Sequence, residues 1–288
     1  MAKKVRVTIG FTLACLFIVL ATFFFRAPLA NLYFELTRPK EEVPDAISQE
    51  EIQASLVTHA QSVEEEIERD NSNDSKDNIA LAKENISNLH KKSEQQNSQY
   101  QLPESMNLAV PFTSQAPHAN WDLPYQEACE EAAMLMSAHF LLNKGGFTKD
   151  SADAGILDLV HFEEKKGMAI DMTTEETARV FEERFGLKAE VRYDFDETDI
   201  KEAIAKGHPV IMPFAGRQLG NPNFTPPGPL YHMLVIKGYT PNVFITNDPG
   251  TRNGRDFQYT YKKILDTNHD WNNGDVTRGK KVMIEVYK

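Results

Sequence analysis

Cysteine is nearly missing from this sequence. Cys15 and Cys129 are the only two in 288 residues, one inside an apolar N-terminal run and the other far downstream. Segments expected in different compartments cannot share a disulfide, and two cysteines cannot build a metal centre. The eight histidines fall at none of the spacings that hold zinc, such as HExxH, so no metal or other cofactor is implied. Basic charge is also short: 31 Lys and Arg stand against 42 Asp and Glu, for a net charge of −11. An acidic body excludes a nucleic-acid partner, because phosphate binding needs a basic face. No internal repeat is visible.

What basic charge there is collects at the start. Lys3, Lys4, Arg6, Arg26, Arg38 and Lys40 face a single acid, Glu35, in the first forty residues. Between them Val7–Phe25 carries no charge and is almost wholly apolar. A helix of about 20 such residues spans a bilayer. The basic flank before it keeps residues 1–6 in the cytoplasm and sends everything after the span outside. A signal peptide cut after Ala30 is the competing reading, but Pro28 would occupy a position that takes a small residue. A lipoprotein cut before Cys15 fits less well, because the apolar run continues past it.

Residues 26–103 are polar, acidic and poor in aromatics. NSNDSKDN and KKSEQQNSQ show no apolar periodicity, and the segment is expected to be a largely disordered stalk with short helical stretches. On this reading a fragment beginning near Gln101 folds alone. From residue 104 to 288 aromatics, glycines and apolar runs return. Helices are expected over Ala128–Asn143, Ser151–Lys165, Thr174–Phe185 and Glu197–Lys206. Strands are expected over His208–Phe214, His232–Tyr239, Asn242–Asn247 and Val282–Tyr287. Helices first and strands later describe an α+β domain.

The helix from Ala128 is apolar on nearly all sides, as a helix buried in a core must be. Cys129 sits in its first turn, where the helix dipole favours thiolate over thiol. A thiolate nucleophile needs a base. His139 lies ten positions along the same helix, about 15 Å away on another face, and cannot serve. His232 can. The segment Tyr231–Asp248 reads as a β-hairpin, and reflecting it about Thr240 sets His232 opposite Asp248, which would orient the imidazole. The plainer alternatives are a buried core cysteine, a strand-end histidine and an Asp-Pro-Gly turn.

Taken together, VPFTSQ, QEACEEAAMLM, YHMLVIKGY and NDP resemble the bacteriocin-processing (double-glycine leader) type of cysteine peptidase, in its stand-alone, membrane-anchored branch. The segment DETDIKEAIAKGHPVIMPF resembles that family's helix-then-strand unit. The resemblance runs from Leu108 nearly to the C-terminus. It implies a papain-like fold with Cys129, His232 and Asp248 as catalytic triad and Gln115 as oxyanion donor. Two positions depart from the family pattern. Glu130 follows Cys129 where the family often has Gly, and Gln115 lies fourteen residues before Cys129 where the family's Gln is a few residues away. Gln126 is therefore a rival for the oxyanion role. No transporter domain accompanies the peptidase, so leader specificity is not carried over.

The resemblance implies a membrane-anchored, extracytoplasmic cysteine peptidase acting on a peptide or protein substrate. An amidase or acyl transferase could use the same triad, and a degenerate peptidase fold could bind peptide or wall material without catalysis. The acidic stretch from Asp266 to Asp275 looks like a calcium loop, but an EF-hand needs Gly and Glu where Trp271 and Thr277 stand. The Pro- and Gly-rich loop Gly216–Tyr231 leads straight into His232 and is expected to border the cleft.

Overall fold

The computed structural model describes residues 40–55 and 102–288, with Leu36, Arg38 and Thr58. The expected tail 1–6, the expected span 7–25 and most of the expected stalk lie outside the described residues. Among the described residues no helix is long and apolar enough to cross a membrane.

Three helices begin where local chemistry predicts. The helix α2 (Lys149–Lys166) is capped by Thr148 and Ser151, α3 (Thr174–Phe185) by Thr173 and Glu176, and α4 (Glu197–Ala205) by Asp196 and Asp199. In each, a side-chain oxygen takes an otherwise unbonded N–H of the first turn, a contribution of about 1 kcal/mol. The helix α1 (Cys129–Leu141) starts differently. It has no side-chain cap, emerges from a 3-10 turn at Tyr125–Glu127, and buries every residue except His139. Packing rather than capping holds it.

The strands β1 (Met106–Asn107), β2 (Lys188–Arg192), β3 (Val210–Ala215), β4 (Tyr231–Tyr239), β5 (Val243–Asn247), β6 (Phe257–Thr260) and β7 (Met283–Tyr287) form one antiparallel sheet. Its order is β2-β7-β3-β4-β5-β6, with β1 added to β4. All nine residues of the central strand β4 are buried, and both α1 and α4 pack against it. The remaining elements are the short helices α5 (Gly216–Leu219) and α6 (Tyr261–Thr267). The α+β reading holds. The sequence reading missed β2, whose residues are mostly exposed or half-buried as at a polar sheet edge, and β6, which is four residues long.

One expectation needs correcting. Part of the segment read as a solvated tether packs on the domain. Ile47 bridges to Leu108 in parallel, with Ile47 N donating to Asn107 O at 2.8 Å and Ala109 N to Ile47 O at 2.9 Å. Helical turns over 49–55 bury Ile52, and Gln49 Nε2 donates to Gly207 O at 2.8 Å. Farther along, Gln258 and the Glu41 backbone exchange two hydrogen bonds. A short helical stretch at Ile52 does not by itself show what it packs against. Its partners lie more than sixty residues away along the chain.

Candidate active site

Because α1 packs on β4, the first residue of the helix meets the first residues of the strand. Met233 N donates to Cys129 Sγ at 3.3 Å. His232, one residue earlier, is held from the other side: its Nε2 lies 2.8 Å from Asp248 Oδ1. All three are buried, with His232 and Asp248 at 1% and 0% exposure.

Asp248 has four hydrogen-bond partners. His232 and the Gly250 amide share Oδ1, while Asn221 Nδ2 and the Tyr259 hydroxyl meet Oδ2 at 2.9 and 2.7 Å. Burial opposes its charge, but the imidazole and these donors more than offset that, and the carboxyl sits below its ordinary value. The turn that presents it is tight. A Cβ on Gly250 would stand 2.8 Å from His232 Cε1, and one on Gly254 would stand 1.8 Å from the Asp248 carbonyl.

The hairpin joins the two residues by a register other than simple reflection. Thr240 N donates to Val243 O, so the turn is centred on Pro241 and Asn242, and a bulge at Lys237 shifts the pairing by one. The ladder ends at Val235 and Asn247. Continued past its end, that register sets Gly250 opposite His232, and Asp248 reaches the ring from a diagonal position. The bulge is filled by the Lys237 ammonium, which bonds Asn107 Oδ1, the Leu108 carbonyl and Asp256.

The motifs VPFTSQ and NDP are stitched together. Asn247 Nδ2 donates to the Val110 carbonyl at 3.0 Å, and the Gln115 amide and the Ser114 hydroxyl both donate to Pro249 O. The Gln115 side chain is buried, and its two N–H groups go to the carbonyls of Tyr125 and Gln126 at 2.9 and 3.0 Å. In this arrangement Gln115 braces the turn that leads into Cys129. The rival Gln126 is exposed and donates to Glu127.

The expected acidified thiol is also corrected. Cys129 is pushed well above the ordinary thiol range, first by burial and then by Glu130. Its Sγ donates to Glu130 Oε2 at 2.9 Å, and among the described residues no hydrogen bond joins it to His232. The helix dipole is present, yet losing all water and gaining a carboxylate neighbour outweigh it.

Behind the sulfur lies a second acidic contact. Glu131 of α1 and Glu163 of α2 face each other, and each retains a buried oxygen without a partner. Burial pushes both up, Glu163 to about 7, and two carboxyls this close share a proton. The folded chain therefore binds more protons than the unfolded one between the ordinary carboxyl range and about pH 7. Stability from this source is present below that range and is lost as pH rises through about 7. Glu163→Gln is expected to be neutral at pH 5 and stabilising at pH 8, by up to about 3 kcal/mol. Urea midpoints at both pH values check this, and an unchanged difference between variant and parent would contradict it.

The loop Gly216–Tyr231 does wall the site. Its Phe224 stands edge-on to His232 with ring centroids 5.2 Å apart, and its Asn221 bonds Asp248. Asn221, Tyr259 and Glu130 were missed as site residues. Only Gly250 left a readable trace, in the Asp-Pro-Gly turn. The acidic stretch read as a calcium look-alike is engaged internally: Asp266 pairs with Lys262, Asp275 with Arg278, and Asp270 holds the start of α3.

Comparison with known proteins bears on the family, not on its membrane-anchored branch. No curated protein matches the chain. A crystal structure described as a C39-like peptidase from Bacillus anthracis aligns with 65% of this chain and 98% of its own, at 14% identity and a TM-score of 0.43. The model of the Peptidase_C39 like family matches residues 107–274. That stretch is more than half of the chain and holds Cys129, His232 and Asp248, and the chain belongs to this family of papain-like cysteine peptidases.

Proposed function

We propose that this protein is a cysteine peptidase that hydrolyses peptide bonds through a thioester on Cys129. The observation that carries the reading is the junction of α1 with β4. It places the thiol against the amide of Met233 while the neighbouring His232 is fixed by Asp248. Asp248 engages Nε2, which leaves Nδ1 as the ring nitrogen available to the thiol. In the first half-reaction the sulfur attacks the peptide carbonyl carbon and its proton passes to His232. The C–N bond then breaks and the leaving amine takes that proton. In the second, water attacks the thioester, His232 receives the water proton, and the acid departs as the thiol is restored. Asp248 holds the ring in one tautomer throughout. No residue in this scheme requires a metal or cofactor.

The anchor completes the proposal. The uncharged run Val7–Phe25 behind a basic flank would hold the peptidase at the outer face of a membrane. External protease should remove it from intact cells.

An electrophilic thiol probe combined with a peptide library tests the activity. Labelling at Cys129 with peptide cleavage, both lost in Cys129→Ala, is the expected outcome. Labelling without cleavage, but with transfer of an acyl group to an added amine, would favour the transferase. Neither cleavage nor transfer would leave a binding module.

A further inference from the structure

The groups around the sulfur are mostly acidic. Glu130 and Glu131 follow Cys129 on α1, Glu163 comes from α2, and Asp171 approaches from the chain before α3. From β4, Tyr231 is buried against Glu130 and Asp270, and His232 is engaged by Asp248. Of the carboxylates, Glu130 alone bonds the sulfur, at 2.9 Å. It is itself anchored, since its other oxygen accepts from Met172 N at 3.4 Å.

We propose that Glu130 is a latch on the nucleophile: its bond to Sγ holds Cys129 as a neutral thiol, directed away from His232, until an acyl substrate draws the sulfur across. The inference rests on Cys129 being the nucleophile of the proposed reaction.

Two acidic groups in contact and without water cannot both ionise, so the pair retains at least one proton, and burial pushes the Glu130 carboxyl up as well as the thiol. Opposing this, the Met233 amide donates to the sulfur and favours a charge on it. A single rotation about the Cα–Cβ bond of Cys129 moves the sulfur off Glu130. The S–H bond then breaks, an N–H bond forms on His232, and Glu130 keeps its bond from Met172 N. The thiolate is also the form that oxidants attack. A latched thiol therefore stays reduced while the enzyme is idle, which suits a chain exposed to an oxidising medium.

The test is the rate of iodoacetamide alkylation of Cys129 against pH, in the full-length chain, for wild type, Glu130→Gln and Glu131→Gln. Wild type is expected to have its midpoint above the free-thiol value of about 8.5. Glu130→Gln should lower that midpoint by about one pH unit or more and raise the rate at pH 7 about tenfold, because a carboxamide carries no charge and can donate to the thiolate. Glu131→Gln, which removes a charge but no bond to sulfur, should shift it less. A Glu130→Gln curve equal to or slower than wild type overturns the latch, and so does an equal shift in Glu131→Gln. If Glu130→Gln does not fold, Glu130→Ala is read by the same curves. Peptide cleavage is followed in parallel. A shifted midpoint in a chain that never cleaves peptide would defeat the peptidase reading and leave Glu130 only as the group that holds the thiol neutral.

Discussion

Asp248→Asn is expected to lower peptide turnover about 10⁴-fold, the scale of the acid in a serine-protease triad. The carboxamide keeps the shape but offers an N–H where only acceptors now stand. If the nitrogen faces His232, the ring takes the wrong tautomer and Nδ1 can no longer receive the thiol proton. If it faces the other way, it meets Asn221 and Tyr259, both of which donate to Oδ2. Either orientation leaves buried donors without an acceptor, at about 1–3 kcal/mol each, so the variant should also melt earlier. The charge adds a pH signature. Because the folded Asp248 carboxyl sits below its ordinary value, its stabilisation is present above the unfolded value and is lost as pH falls through the folded one. Asp248→Asn should remove that acid-side loss. Turnover within tenfold of wild type would sink the assignment of Asp248.

The second large effect is expected from the strap formed by residues 40–55. A fragment starting at Leu102 should be less stable than one starting at Leu36, by roughly 4–6 kcal/mol. Ile52 is 3% exposed, and burying an isoleucine contributes about 1.5–3 kcal/mol. The bond from Gln49 to Gly207 and the paired backbone bonds at Ile47 add about 1 kcal/mol each. Without the strap the Ile47 partners on the Asn107–Ala109 segment are opened. Against a usual margin of 5–15 kcal/mol this is severe. Urea unfolding of the two fragments decides it, with Ile52→Ala in the longer one as a check on the apolar share. Equal midpoints would restore the reading of a passive tether.

The strap also shows where a sequence reading ends. Ile47 and Ile52 sit in a polar, acidic stretch, and nothing near them in the chain explains their burial. Their partners, Leu108 and Gly207, are distant in sequence and adjacent only once the sheet and α4 are assembled.

By itself the sequence determined what depends on neighbours along the chain. Helical segments were legible at α2, α3 and α4, the nearly all-round apolar character of α1 marked a buried helix, and Asp-Pro-Gly marked the turn that presents Asp248. Its hairpin pattern also indicated His232 and Asp248 as partners, and the family resemblance added Cys129 to them. Tertiary structure alone decided how they meet. The bulge at Lys237 moved the hairpin register, and the buried ammonium there meets Asn107 and Asp256 from elsewhere in the chain. Asn221 and Tyr259 came to Asp248 from separate elements. The thiol's protonation followed from burial beside Glu130, and burial is the product of every contact α1 makes. A helix dipole is written in local sequence; the removal of water that overrides it is not.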